Sequence, residues 1–339
     1  MDINIRHFKL PFLLLNGGDF LGKFEAVTLE ITKKCNHNCL FCYNLASENS
    51  KNVTFDQIDT VINKIYDYGI ERVTVTGGEP YMVKKETNYL LKKLVEKNFD
   101  VCLNTNLTLV DEEEVTNIEN LIGHDNIVYS SIPSVDETKC DEITKRKGSY
   151  QNICRGIELC NKHNVKVGLN MSVSDINIDD LDKIPDFLRK HKVDSFTLFP
   201  VIPPLYDRDN KSFENSCDNL KKVADCLVKV SEEFGIVVGS IRPLPKCLIG
   251  NDPKYDIIIG SRCTTGNERF SIDMVTGNIE ACSQEKHFYG NIYEDSIESC
   301  YEKMAGWRND DFLAPSCKEC DILEKCGGMC LWSEPCGRC

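Results

Sequence analysis

Three cysteines, Cys35, Cys39 and Cys42, stand in the segment TKKCNHNCLFCYN with the spacing Cys-x3-Cys-x2-Cys. Thiolates this close along a chain can bind one metal centre, and thiolate sulfur suits zinc or an iron–sulfur cluster. Three is the informative count, because a cubane has four irons and a three-cysteine loop leaves one open to a non-protein ligand. A zinc knuckle is the alternative, with His37 as its fourth ligand. A second array begins at Cys263. Thirteen residues lead to Gly277 and four more to Cys282, then come Cys317-x2-Cys320-x5-Cys326-x3-Cys330, and later Cys336 and Cys339.

The sequence holds 19 cysteines in 339 residues, and its opening stretch MDINIRHFKLPFLLLNGGDF has neither a cleavage pattern nor an apolar span of membrane length. A cytoplasmic protein follows from that reading. Disulfides are rare in that compartment, so metal binding explains the cysteines better than a disulfide knot, and zinc ribbons are the other alternative for the second array. Cys102, Cys140, Cys154, Cys160, Cys217, Cys226 and Cys300 are scattered and read mostly as small buried side chains. A net charge of −13 argues against a broad electrostatic embrace of nucleic acid. The acidic run Asp111–Glu114 reads as a solvated helix start favoured by the helix dipole.

A third feature is TGGEP, with Gly77, Gly78, Glu79 and Pro80. Paired glycines let a backbone approach a ligand closely, and Glu79 can accept hydrogen bonds from an ammonium group. In isolation such a segment is as readily a turn.

The elements that must position these residues follow from periodicity. Strands are predicted at 24–32, 72–76, 100–105, 127–132, 165–173 and 195–202, with helices near 54–69, 84–97, 111–121, 149–163 and 179–190. Alternation of this kind implies βα units around a parallel sheet. Six units allow either an open doubly wound sheet or a partial barrel. The cysteine loop and TGGEP follow consecutive strands, so both open onto one C-terminal face. A helix over about 217–235 leads into IVVGSIRPLPKCLIGNDP, a Pro- and Gly-dense bridge, and beyond residue 260 short hairpin-like segments take over.

With Phe41 just before its third cysteine, the loop resembles the signature of the radical S-adenosylmethionine (radical SAM) superfamily. The resemblance implies an α/β fold with a partial (β/α)6 TIM barrel over 24–215. It also implies a 4Fe-4S cluster on Cys35, Cys39 and Cys42, whose open iron chelates S-adenosylmethionine for reductive cleavage to a 5′-deoxyadenosyl radical. Gly77–Pro80 then resembles the motif that holds the methionine amino group. Thr105 and Asn106 resemble a Thr-Asn pair of relatives, Ser131 the residue that meets the ribose, and Thr144 a residue that approaches the cofactor. For Ser131 and Thr144, backbone hydrogen bonding is the plain alternative, and Pro133 and Ser134 depart from the family pattern. Asn170 offers a polar contact or a satisfied core amide. Cys140 could be a hydrogen-atom donor as in some relatives, but its place in a polar linking segment favours an inert side chain.

The second array resembles the SPASM extension of ribosomal-peptide (RiPP) maturases and anaerobic sulfatase-maturating enzymes, here 261–339, preceded by a bridging region at 216–260 and, before the barrel, a segment at 1–23. The resemblance implies two auxiliary 4Fe-4S clusters. Cys263, Cys282 and Cys330 would hold the first, and Cys317, Cys320 and Cys326 the second, completed by Cys336 or Cys339. Residues 248–262 lack the further cysteine that relatives often have, so either Cys247 reaches back or one iron stays open. An open iron that bound a substrate thiolate would favour thioether chemistry. The implied activity is modification of a peptide or protein side chain, such as a thioether or carbon–carbon crosslink in a ribosomally made precursor, with a flavodoxin- or ferredoxin-type reductant and no nucleic acid or membrane partner. With about 24 residues before the first strand, substrate recognition is expected in the barrel mouth, the bridge or a separate partner. The alternatives are an anaerobic dehydrogenase of a protein Ser or Cys or of a small alcohol, and a non-catalytic iron–sulfur electron-transfer protein.

Overall fold

The computed structural model describes residues 23–44, 50–124, 126–201, 217–260, 262–285, 287–309, 311–328 and 330. Strands β1 (Ala26–Glu30), β2 (Arg72–Thr76), β3 (Asp100–Asn104), β4 (Ile127–Ser131), β5 (Lys166–Val173) and β6 (Ser195–Pro200) fall on the six predicted segments. Each is followed by helical structure, and neighbours pair in parallel, with Ala26 opposite Arg72 and Val73 opposite Val101. Buried Val and Leu side chains fill the space between sheet and helices. Helix α1 (Phe55–Tyr68) illustrates how sequence sets an element. Thr54 and Gln57 form a reciprocal capping box, Ile58, Val61, Ile62 and Ile65 share the buried face, and Gly69 ends the helix in the left-handed region.

The sheet continues beyond the six expected strands. β7 (Val237–Gly239) lies in the bridging region and pairs with β6, while β8 (Arg269–Asp273) pairs in parallel with β1, Glu30 opposite Asp273. β9 (Asn278–Glu280) and β10 (Gly290–Asn291) add antiparallel strands, the hairpin expected beyond residue 260. The order is β10-β9-β8-β1-β2-β3-β4-β5-β6-β7, one open sheet with β7 and β8 on opposite sides of the gap in its parallel part. It crosses the expected boundaries at 215 and 260 without interruption.

Helices α2 (Lys84–Glu96), α3 (Glu112–Ile122), α5 (Ser149–Lys162) and α7 (Cys217–Phe234) match expectation. The predicted helix at 179–190 is a 3-10 turn running into α6 (Ile184–Lys190), and α4 (Glu137–Thr144) occupies what reads in sequence as a linking segment. At α3, Asp111 caps the first turn, but Glu114 is buried against Lys84 at 2.7 Å, so this residue of the acidic run is not solvated. Among the described residues no helix is long and apolar enough to cross a membrane.

Candidate active site

The site lies where the strands end. After β1 the chain enters the cysteine loop, which is gripped from two sides. On one, the Gly78 and Glu79 amides donate to the Thr32 and Lys34 carbonyls, each at 2.7 Å. A Cβ on Gly78 would stand 2.2 Å from the Lys34 carbonyl oxygen, and one on Gly77 2.5 Å from that of Thr32, so only glycine permits this approach. On the other side, the Asn38 and Leu40 amides donate to the Thr144 and Ile143 carbonyls. Those carbonyls end α4 and have no partner within the helix, so the loop serves as its C-terminal cap.

Thr144 sits at this junction. Its side chain is fully buried, its hydroxyl donates to the Cys140 carbonyl at 2.9 Å, which is the backbone contact weighed against an approach to a cofactor, and it does not line the cavity. His37 pairs through Nε2 with Ser149 Oγ at 3.0 Å. Burial, helped by Arg146, lowers its pKa to about 4, which leaves it a neutral hydrogen-bonding residue. Among the described residues no three His, Cys, Asp or Glu side chains converge as a single-ion site requires.

Cys35, Cys39 and Cys42 line one wall of a cavity of about 360 Å³, with Phe41 beside them. Burial pushes the Cys35 thiol up to about 11 and raises Cys39 and Cys42 as well. Three half-buried thiols with raised pKa need cationic metal to become thiolates at neutral pH, and this donor set fits a cluster with an iron open toward the cavity.

Facing them, Glu79 is almost wholly buried. Its carboxylate accepts from Thr105 Oγ1 at 2.6 Å, the Asn106 amide at 2.7 Å and the Tyr81 amide at 3.1 Å. Burial raises its pKa and these three donors oppose the rise. Asn106 Nδ2 also donates to Asn36 Oδ1 at 2.8 Å, which joins the β3 turn to the cysteine loop. Ser131 ends β4 and sits opposite Asn170 within β5, their side chains bonded at 2.7 Å, both on the cavity wall. Pro80 starts the 3-10 turn behind Glu79, and its carbonyl accepts from Thr87.

The cavity is also lined by β8 and by the segment that follows β7. Cys263, Cys282 and Cys330 line it. Charges on Cys263 and Cys330 act on Cys282, whose pKa burial raises to about 12. Cys247, one of the two alternatives for completing this set, is exposed on a short helix (Lys246–Ile249) and does not line the cavity. The chain there is committed elsewhere, since the Lys246 amide donates to Cys326 Sγ at 3.3 Å. Cys317, Cys320 and Cys326 form a separate group along two short helical turns, and Gly327 and Gly328, both with positive φ, reverse the chain toward Cys330. Cys336 and Cys339 lie outside the described residues. Cys140 is fully buried in α4, the inert reading.

Among the cavity residues that sequence reading missed are Tyr43, Ser283, Arg242 and Arg269. Tyr43, directly after Cys42, hydrogen-bonds Glu30 and Ser283 and so links the cysteine loop to the C-terminal module. Ser283 directly follows Cys282. Arg242 and Arg269 reach the cavity from the β7 and β8 sides. Adjacency to cysteines was the available signal for Tyr43 and Ser283; the arginines carried none.

An open parallel α/β sheet with buried thiols, a satisfied carboxylate and a glycine cradle at its strand ends defines a cofactor-handling enzyme of the partial-barrel class. The model of the Radical SAM superfamily matches residues 29–188, so this part of the chain is a radical SAM domain, and a cysteine-rich C-terminal extension follows it. Over 94% of this chain and 86% of the other, it is 27% identical to the Fe-coproporphyrin III synthase of Methanosarcina barkeri. It is 26% identical to the antilisterial bacteriocin subtilosin biosynthesis protein AlbA of Bacillus subtilis over 92% of this chain, and spans 66% of that protein. The crystal structure of Streptococcus suis SuiB bound to precursor peptide SuiA superposes with a TM-score of 0.73 at 16% identity, covering 92% of this chain and 72% of that one, a likeness of fold.

Proposed function

We propose that the enzyme modifies a side chain of a peptide or protein, a ribosomally made precursor being the substrate class favoured, by thioether or carbon–carbon bond formation. The observation that carries this reading is that two thiol sets, Cys35/Cys39/Cys42 and Cys263/Cys282/Cys330, line one cavity. A substrate between them would meet both an initiating centre and an acceptor for the electron released on its oxidation. The loop-bound 4Fe-4S cluster supplies, with S-adenosylmethionine, the reductive cleavage that yields a 5′-deoxyadenosyl radical.

The chain's own residues take the remaining roles. Glu79, held by Thr105, Tyr81 and Asn106, receives the methionine ammonium group; Ser131 and Asn170 face the ribose; Phe41 packs beside the cofactor. Pro80 fixes the turn behind Glu79. Cys317, Cys320 and Cys326, with Cys336 or Cys339, hold the second auxiliary cluster. The domain limits 24–215, 216–260 and 261–339 are kept as functional rather than folding units. A flavodoxin- or ferredoxin-type reductant and a cytoplasmic setting complete the reading. The AlbA and SuiB likenesses support a peptide substrate.

A second reading, small-molecule chemistry, draws on the relative named for Fe-coproporphyrin III, with which this chain aligns nearly end to end. Dehydrogenation of a protein Ser or Cys or of a small alcohol remains the other enzymatic alternative. The Glu79 cradle opposite the thiols has no task in a mere electron carrier.

The test is anaerobic reconstitution followed by dithionite and S-adenosylmethionine. About twelve irons per chain and 5′-deoxyadenosine that disappears in Cys35→Ala, Cys39→Ala and Cys42→Ala variants would support radical initiation with three clusters. Mass spectrometry of offered cysteine-containing precursor peptides and of iron porphyrins then separates the readings: a mass loss of two hydrogens in a peptide supports the first, a change confined to the porphyrin overturns it.

A further inference from the structure

We propose that Arg242 is a positioning residue for the first auxiliary cluster, which ties the Cys330 thiolate to the edge of the sheet and raises that cluster's reduction potential. This rests on Cys263, Cys282 and Cys330 being cluster ligands. Arg242 follows β7 in the Pro-rich bridge and lines the cavity, half-buried. Its Nη1 donates to the carbonyls of Pro200 and Val201 at the end of β6, at 3.4 and 2.8 Å. The same guanidinium hydrogen-bonds Cys330. A fork of five donors is what allows one side chain to hold two carbonyls and a sulfur together, a geometry a single ammonium matches poorly.

The charge balance points the same way. Carbonyls carry no charge, and the ionisable group that acts on Arg242 is Cys330. A desolvated guanidinium needs an anionic counterpart, and a thiolate that carries an iron cluster supplies one. Reduction adds a further negative charge to an anionic, thiolate-ligated cluster. A cation hydrogen-bonded to one of its sulfurs favours the reduced state, so the potential rises. Arg269 approaches from β8, where its charge acts on Cys282 and its Nη2 donates to Thr265 at 3.0 Å. Arg242 instead couples Cys330 to the end of β6, which is what makes it a positioning residue for that thiol.

The experiment uses the full chain with Cys35, Cys39 and Cys42 replaced by alanine, so that only auxiliary clusters give signals. Iron and sulfide are counted and each cluster's midpoint is read by EPR-monitored redox titration in this background, alone and with Arg242→Met, Arg242→Lys or Cys330→Ala. The expected result is one signal moved to lower potential in Arg242→Met with iron retained, the other signal unmoved, and most of the shift recovered in Arg242→Lys. If Arg242→Met does not load iron, a downward shift of one signal in Arg242→Lys against the parent supports the proposal. Unchanged midpoints at full iron load, or equal loss of about four irons in both variants, would overturn it. A background that binds no iron, or a Cys330→Ala variant that keeps both signals and all its iron, would instead remove the cluster assignment underneath.

Discussion

At the scale of single residues, the site is a set of close approaches that small changes should break selectively. Gly78→Ala places a methyl 2.2 Å from a backbone oxygen, and backbone cannot move aside as a side-chain tip does. The variant is expected to lose about four of its irons and all 5′-deoxyadenosine formation while keeping the auxiliary signals, as iron analysis and chromatography would read. Glu79→Gln keeps the shape but turns an acceptor into a partial donor facing Thr105 and the Asn106 amide. Hydrogen bonds to a charged group contribute about 1.5–3 kcal/mol, so cleavage of S-adenosylmethionine should fall about ten- to hundred-fold at unchanged iron content. Activity near wild type would show that the carboxylate is structural.

Residue chemistry was also where the sequence spoke most clearly. The triple cysteine and TGGEP were legible because their chemistry depends on spacing along a few residues. Thr144 was ambiguous because a threonine near a helix end serves the helix as readily as a ligand, and its contact with the docked loop, where Asn38 donates to its carbonyl, joins residues far apart in sequence. Arg242 was invisible, since its partners at 200, 201 and 330 are joined only by the fold.

Elements were legible in proportion to their local signal. α1 carries its own cap, face and stop, and the β2 segment coincides with its prediction. β7 has three residues in a Gly- and Pro-rich stretch, too few for alternation to register. One contact between elements gives a pH prediction. His163, at the end of α5, reaches Glu119 and Glu112 of α3 at 3.0 and 3.1 Å, and these hydrogen bonds raise its pKa. A raised histidine pKa stabilises the fold fully below the unfolded value of about 6.5, and this contribution disappears as pH rises through the higher folded value. Thermal melts should therefore show the wild-type advantage over His163→Gln below about pH 6.5 and its loss in mildly alkaline buffer. A constant difference across that range would refute the ion pairs.

For the molecule as a whole, the pairing of β8 with β1 was beyond sequence reading, because any strand of the right pattern could fill that place. It means that the barrel is incomplete without residues from the cysteine-rich module. A fragment ending at residue 260 would leave β1 with one neighbour and uncover Phe24, which stacks on Phe270 at 4.4 Å between ring centroids. The fragment is expected to be insoluble or to lack a cooperative melt, whereas independent domains would leave it folded; circular dichroism distinguishes these.

The same pairing sets a clock on synthesis. Of the described strands β1 leaves the ribosome first, yet its second partner, Arg269 opposite Ala26, emerges about 240 residues later, a delay of about ten to fifty seconds at ordinary elongation rates. Throughout that interval one edge of β1 has no partner. Until β8 arrives that edge is open to other chains, so the yield of active enzyme should depend on how fast the message is read as well as on how much iron is at hand.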